Sequence, residues 1–383
     1  MSRGSGLPPV LAAKTARTFC YGFLGVLLPI YLIELGMTAT GVGAAVTATL
    51  AGSALLTWLV RRPAERFGAR PALWALTALT AVAAVILLAT RNPWAVVLAA
   101  VIGNVAVGTG ETGPFLTIEQ VVVARAVPAA RRTAVLSVYN LLGYAAAAIG
   151  AASVAVWESY RVLFLLFLAG AAVQAIAYTW IPARTTAPPA SGAPLPSAPL
   201  IRRLAALFAL DSFAGGFVLQ SLVAYYLHMR FDLSLETLGI VFAGTQVLTG
   251  ISMLLAARAA ARFGLLPTMV VSHLVSNALL IAIAFAPTAA VAVGFLLARH
   301  LLSQMDVPTR QAYVMAVVAD HEREAAASLT NLTRTVAQAI TPTLTGWVMQ
   351  AVALSAPFVL GGTLKIAYDI ALWRTFKDVK LRD

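Results

Sequence analysis

Residues 65–72 read ERFGARPA, and residues 261–268 read ARFGLLPT. The two octapeptides share Arg-Phe-Gly followed three positions later by proline, at an offset of 196. RTFCYGFLGVLLPIY (17–31) lies over DSFAGGFVLQSLVAY (211–225) at an offset of 194, pairing Phe19 with Phe213, Gly22 with Gly216, Phe23 with Phe217 and Tyr31 with Tyr225. A third match sets QVVVARAVPAARRTAVLSVYN (120–140) over QAYVMAVVADHEREAAASLTN (311–331) at an offset of 191, aligning Gln120 with Gln311, Arg132 with Arg323 and Asn140 with Asn331. Three matches in chain order at nearly one offset identify an internal duplication.

The material between these landmarks is apolar. Of 383 residues, 60% are hydrophobic and 11% charged, against roughly 25% charged in a soluble domain. A bilayer core needs about 20 mostly apolar residues per helical crossing, and breaks at Pro, Gly and charged residues divide the chain into twelve such runs. They are 16–36, 40–60, 71–90, 93–123, 133–156, 161–181, 203–228, 236–257, 267–286, 289–317, 325–351 and 354–373. The sequence thus predicts an all-α membrane protein. Its N-terminal bundle of six helices covers 1–182, a Pro/Ala/Ser-rich cytoplasmic linker 183–200, and a second six-helix bundle 201–383. An even number of spans per half gives both bundles the same orientation, as parallel repeats.

The net charge of +12 does not point to nucleic acid, because the basic residues cluster in short loops without interleaved aromatics. With the N-terminus inside, cytoplasmic segments hold twenty Lys/Arg and the opposite side three, Arg91, Arg161 and Arg230. That asymmetry places both termini in the cytoplasm. Cys20 is the single cysteine, so no intramolecular disulfide or thiolate metal cluster is expected. The N-terminal residues lack a signal-peptide pattern. No phosphate-binding Gly-Lys-Ser/Thr loop, hydrolase triad or metal-ligand spacing occurs, which argues against a pump driven by ATP and against an enzyme. No cofactor or metal is expected.

Twelve spans as six plus six, the long central linker and the loop AERFGARPA resemble the major facilitator superfamily. That family's loop motif runs Gly-x-x-x-Asp-Arg-x-Gly-Arg-Arg. Here Glu65, Arg66, Gly68 and Arg70 fill its later places, with Arg61 at the opening Gly and Glu65 at the Asp. The resemblance covers nearly the whole chain. It implies alternating access between two bundles, with solute held near mid-membrane by spans one, four, seven and ten, and a protein that works as a monomer.

Charges inside spans are costly and normally face a bundle interior or a wet cavity. At about 1.5 Å of rise per residue, Asp306, Arg310, Arg334, Glu111 and Asp211 all fall about 15–20 Å into their helices. Asp306 and Arg310 are spaced to share a helix face, as a working pair or a structural one. Pro308 and Pro114 should bend their helices and free carbonyls. Proton-coupling candidates are Glu111, Asp211 and Asp306. Solute-cavity candidates are Arg310, Gln311, Arg334, Asn104, Tyr31, Gln220, Tyr225 and Phe217.

The repeat aligns Arg17 with Asp211 and Glu119 with Arg310. Oppositely charged equivalents across a twofold axis suggest two gate pairs, Arg17–Asp211 and Glu119–Arg310. Otherwise Glu119 binds Arg66 or Arg70, and Arg17 snorkels to the interface. Lys365 and Asp369 are spaced as an intrahelical scaffold pair, Arg299 and His300 suit an outer vestibule, and His228 and His273 stand isolated.

The expected function is secondary active transport of a small organic solute through a bacterial-type cytoplasmic membrane, coupled to protons, in the efflux direction by analogy. Asn104 and Val107 replace the Arg and Gln of the drug–proton antiporter motif, and the fifth-span Gly-Pro motif is missing. A proton–solute uptake symporter is the alternative of the same class. A non-transporting receptor is the alternative of another class, although the short tails offer no output domain.

Overall fold

The computed structural model describes residues 6–105, 113–157, 159–181, 197–318 and 323–379. Among them are fifteen helices, and they map onto the twelve expected spans in chain order. The first three spans are α1 (Leu7–Glu34), α2 (Ala39–Phe67) and α3 (Ala69–Ala89). The fourth is broken into α4 (Pro93–Ile102) and α5 (Pro114–Ala126), and α6 (Ala129–Ser153) and α7 (Tyr160–Thr179) complete the first half. The seventh is broken into α8 (Ala198–Gly216) and α9 (Gln220–Phe231), followed by α10 (Leu235–Phe263) and α11 (Leu265–Ala284). The tenth is broken into α12 (Ala289–Ser303) and α13 (Asp306–Val317), before α14 (Arg323–Ala351) and α15 (Ala356–Phe376). Residues 182–196, most of the expected linker, lie outside the described residues.

Three of the four spans expected to line a solute path are the broken ones. The expected bends at Pro114 and Pro308 become full breaks just upstream. Pro114 is the first residue of α5 and Pro308 the third of α13, positions whose N–H groups have no intrahelical partner, so proline costs nothing there. Asn104, at φ 49°, and Gly113, at φ 104°, turn the chain out of α4 and into α5. The α8–α9 break has no proline; α8 ends on Gly215-Gly216, and Phe217 and Val218 make the turn.

Burial is inverted relative to a water-soluble protein. Arg17, Glu119 and Asp369 are 0% exposed, whereas Trp58, Ile149 and Phe285 are 65–73% exposed. Apolar side chains pointing outward suit contact with lipid tails, and polar ones are answered within the protein. Buried hydroxyls close on their own helices, as when Thr18 and Thr77 donate to the carbonyls of Lys14 and Leu73, each at 2.8 Å.

The helices form two compact units. The first comprises Met1–Met37, Ala48–Pro189 and Ser234–Ala243; the second comprises Thr38–Thr47, Ala190–Leu233 and Gly244–Asp383. Each unit therefore includes the opening turns of a helix from the other half of the sequence. In the second unit, Thr47 Oγ1 accepts from the Thr343 amide at 3.1 Å, and Thr40 donates to Gln350 at 2.9 Å.

Inside each unit the packing repeats. In the first, α1 packs on α6 and α7, and α3 on α4, α5 and α7. In the second, α8 packs on α14 and α15, and α11 on α12, α13 and α15. Gly22 lets α1 approach the Ala147 carbonyl of α6, and its repeat equivalent Gly216 lets α8 approach Thr341 of α14. Small residues at such crossings permit backbone contact where no hydrophobic drive exists between helices.

The turn that follows Arg-Phe has one geometry in both halves. Gly68 between α2 and α3 has φ 97° and ψ 169°, and Gly264 between α10 and α11 has φ 90° and ψ 162°. That backbone region is essentially reserved for glycine.

Candidate functional site

Among the described residues, each unit buries a cluster of charged side chains. In the first unit, α1 carries Arg17 ten residues beyond its start, about 15 Å along the axis, because the helix begins well before the apolar run. Arg17 Nη1 donates to Glu119 Oε1 at 3.0 Å and Nη2 to Oε2 at 2.5 Å. Tyr178 of α7 accepts from Arg17 at 2.8 Å and donates to Glu119 Oε1 at 2.6 Å; Tyr139 of α6 donates to Oε2 at 2.5 Å. Each Glu119 oxygen thus receives two donors. The Arg17 guanidinium also sits 4.6 Å from the centre of the Phe115 ring. This is a saturated knot, in which every strong valence of the carboxylate is answered.

The second cluster is shared differently. Asp211 of α8 accepts from Lys365 of α15 at 2.5 Å and from Arg310 of α13 at 3.4 Å, and His273 Nε2 of α11 stands 3.7 Å away. Arg310 also donates to Asp306 at 2.6 Å. His273 Nδ1 meets Asp369 Oδ1 at 2.7 Å, while Asn277 donates to the other Asp369 oxygen at 3.0 Å. Arg334 of α14 donates through Nε to Ser212 at 3.0 Å. All of these groups are buried except Arg334, which is half-buried. One carboxylate therefore faces three basic groups on three helices, two of them at long range. That arrangement can redistribute its bonds; the first cluster cannot without losing them.

The gate pairing expected from the repeat is replaced. Arg17 pairs with Glu119 and Asp211 with Arg310, each inside its own unit. The repeat carries an internal contact onto an internal contact, so the exchanged signs mean one ion pair built twice with reversed polarity. Arg17 does not snorkel, and Glu119 is held by Arg17 and not by Arg66 or Arg70. Tyr178 and Tyr368 occupy equivalent places, in the triplets Ile-Ala-Tyr at 176–178 and 366–368.

The other expected positions spread along the two units. Asn104 is buried at the α4–α5 break, and a Cβ on Gly113 would meet its amide group at 2.9–3.1 Å. Tyr31 is buried against Tyr160 and Phe164, with ring centres at 4.8 and 5.5 Å. Gln220 accepts from Gln246 at 3.0 Å; Tyr225 is buried, and Phe217 contacts the Phe213 ring edge-on. Glu111 lies outside the described residues. Gln311 and Glu65 have helical backbones in α13 and α2. Arg66 and Arg70 lie over the rings of Phe67 and Trp74, beside Gly68.

Sequence reasoning missed the parts played by His273, Asn277, Lys365, Asp369, Ser212, Tyr139 and Tyr178. Lys365 and Asp369 bond to different partners, Asp211 and His273, and not to each other. Their i,i+4 spacing suggests an intrahelical pair, yet two groups on one helix face can equally reach two neighbouring helices. The Ile-Ala-Tyr match was the available signal for the tyrosines.

A family model for the Major Facilitator Superfamily matches residues 10–299 and 204–382. An uncharacterized membrane protein of Saccharomyces cerevisiae is 22% identical over 410 residues, covering 94% of this chain and 92% of that protein. In fold the chain is similar to the nucleoside transporter NupG, with a TM-score of 0.78 at 14% identity over 97% of this chain and 100% of that one. A POT family peptide transporter gives 0.76 at 11% identity over 99% and 98% of the two chains. A D-xylose–proton symporter gives 0.73 at 13% over 97% and 96%.

Proposed function

The chain belongs to the Major Facilitator Superfamily, and from that premise we propose that it is a secondary active transporter moving a small organic solute by alternating access, coupled to protons through the Asp211 cluster. It is a multi-pass membrane protein of a transporter fold, not an enzyme. Residues 1–182 and 201–383 serve as the two moving bodies, in a bacterial-type cytoplasmic membrane with both termini inside. Solute leaves in exchange for protons. The D-xylose–proton symporter among the similar folds favours a second reading, uptake in the same direction as the proton.

The observation that carries the coupling is the position of Asp211, buried between Lys365 at 2.5 Å, Arg310 at 3.4 Å and His273 at 3.7 Å. A proton arriving on Asp211 releases Lys365 and loosens Arg310. Arg310 keeps Asp306, and His273 keeps Asp369. A change of one charge thus rearranges bonds among α8, α11, α13 and α15. Buried ionisable groups with several partners are the usual seats of proton relays in membranes.

The test uses the full chain in proteoliposomes loaded with a pH-sensitive dye and challenged with nucleosides, pentoses, dipeptides and organic anions. Solute-dependent proton flux is expected. Asp211→Asn should abolish that flux while counterflow of the same solute persists. Proton flux that survives the substitution removes Asp211 from the coupling, and absence of solute flux in every arm removes transport.

A further inference from the structure

Beside the second cluster stand two guanidinium groups, Arg334 and Arg299, with no carboxylate bonded to them among the described residues. Asp211 is engaged by Lys365 and Arg310, Asp306 by Arg310, and Asp369 by His273 and Asn277. Arg334 spends its Nε on Ser212, which leaves its terminal two-pronged edge without a carboxylate among the described residues. Arg299, four residues before the end of α12, has a buried Nε with no hydrogen-bond partner among the described residues. Arg334 borders this cluster through Ser212, the chain neighbour of Asp211, and both cations interact electrostatically with Asp211 and Asp306.

We propose that Arg334 and Arg299 form the recognition site for the anionic group of the solute, which makes the cargo an organic anion bearing a carboxylate or phosphate. The proposal rests on the transporter reading and names its substrate class. Cations at membrane depth require counter-charge, and among the described residues the cluster's carboxylates are already committed, Asp211 and Asp306 to Arg310 and Lys365 and Asp369 to His273 and Asn277. A guanidinium edge matches a carboxylate or phosphate with two parallel hydrogen bonds, which an ammonium cannot do. Ser212 accepts from the Arg334 Nε, a bond that does not consume the terminal edge. Arg334 is only partly buried, unlike the sealed Arg17. The chain neighbour of Ser212 is Asp211, so an anion docked on Arg334 sits beside the proposed proton carrier, and the two negative charges compete for the same cations. Protonation of Asp211 would favour anion binding by freeing Lys365 and Arg310, a linkage that suits the second reading, uptake together with the proton, and not exchange.

The full chain in detergent is melted with benzoate, glutarate or glycerol phosphate, and in parallel with tetraethylammonium or xylose. At least one anion should raise the melting midpoint, and the cation and the sugar should not. Arg334→Gln and Arg299→Gln should each weaken the apparent affinity about tenfold or more, and Arg334→Lys should restore only part. Ligand-free melting reports folding, and Arg334→Lys carries the comparison if the Gln variants fail to fold. No shift with any of the three anions, or equal affinity in parent and variants, overturns the proposal. Repeating the titration in phosphatidylcholine and phosphatidylglycerol nanodiscs identifies the source of the anion. Competition by phosphatidylglycerol would assign the site to a lipid headgroup and overturn the solute assignment. Counterflow of only neutral or cationic solutes would keep the transporter and sink the site; anion binding without any flux would do the reverse.

Discussion

Arg17 and Glu119, 102 residues apart in sequence, meet through both guanidinium nitrogens in a fully buried pair. Asp211 and Arg310 meet at the repeat-equivalent positions with the signs exchanged. The duplicated architecture has kept an ion pair between the first helix of each half and the helix after the break, while its surroundings diverged. In the first unit two tyrosines complete the pair. In the second Lys365, His273 and Asp306 compete for it. One half is a fastener, and the other has the components of a switch.

Glu119→Gln takes the carboxylate away from a fully buried Arg17 and should cost about 3–5 kcal/mol. Arg17→Met with Glu119→Leu removes both charges and should fall within about 1 kcal/mol of the parent. Arg17→Asp with Glu119→Arg copies the polarity of the second half and should recover at least half of the loss. Chemical unfolding of the purified chain reads all three. A single variant no less stable than the double variant would show that the pair is not buried in the membrane protein as it stands.

The spans were legible because each is an apolar run bounded by Pro, Gly or charge, and the duplication fixed their grouping. The breaks were legible in part. Pro114 and Pro308 marked two of them, though proline sits after the break and not within a bend, while Gly215-Gly216 gave no comparable signal in a run of apolar residues. The ionic partners were not legible. Helical periodicity predicts neighbours on one helix, as for Asp306 and Arg310, but contains nothing about which face of α5 meets α1. The repeat did hold that information: it aligned Arg17 with Asp211 and Glu119 with Arg310, and opposite charges at equivalent positions denote one pair inverted as readily as two pairs across an axis.

Asp211 and Lys365 should show strong energetic coupling. Asp211→Asn and Lys365→Met, alone and combined, should give a coupling energy of about 1–3 kcal/mol in a double-mutant cycle. Lys365 and Asp369 are four residues apart on α15 but bond to different partners, so their own cycle should show weaker coupling. Stronger coupling of Lys365 to Asp369 than to Asp211 would restore the intrahelical pair and contradict the observed 2.5 Å contact to Asp211.

Two glycine substitutions should move stability in opposite directions. A Cβ on Gly22 would run into the Ala147 carbonyl, whereas nothing lies within 4 Å of one on Gly294. Gly22→Ala should therefore destabilise by about 1–3 kcal/mol through forced separation of α1 and α6. Gly294→Ala, on an exposed face of α12, should stabilise by about 0.5–1 kcal/mol by lowering the entropy lost on folding. Thermal melting in one detergent compares them directly, and a stabilising Gly22→Ala would refute the close crossing.

Gly68 and Gly264 should be equally intolerant of a side chain, despite the sequence divergence around them. Their φ values of 97° and 90°, with ψ of 169° and 162°, occupy a region where any other residue costs about 1–3 kcal/mol. The cost is backbone strain and not crowding: a Cβ on Gly264 would meet Pro267 only at an ordinary 3.5 Å. Gly68→Ala and Gly264→Ala should each lower stability by a similar amount. Each should also raise hydrogen exchange in its own turn, α2–α3 or α10–α11, more than elsewhere. Exchange that rises only at Gly68 would mean that the two turns are alike in sequence but not in conformation, and the duplication would then be less complete than the paired octapeptides indicate.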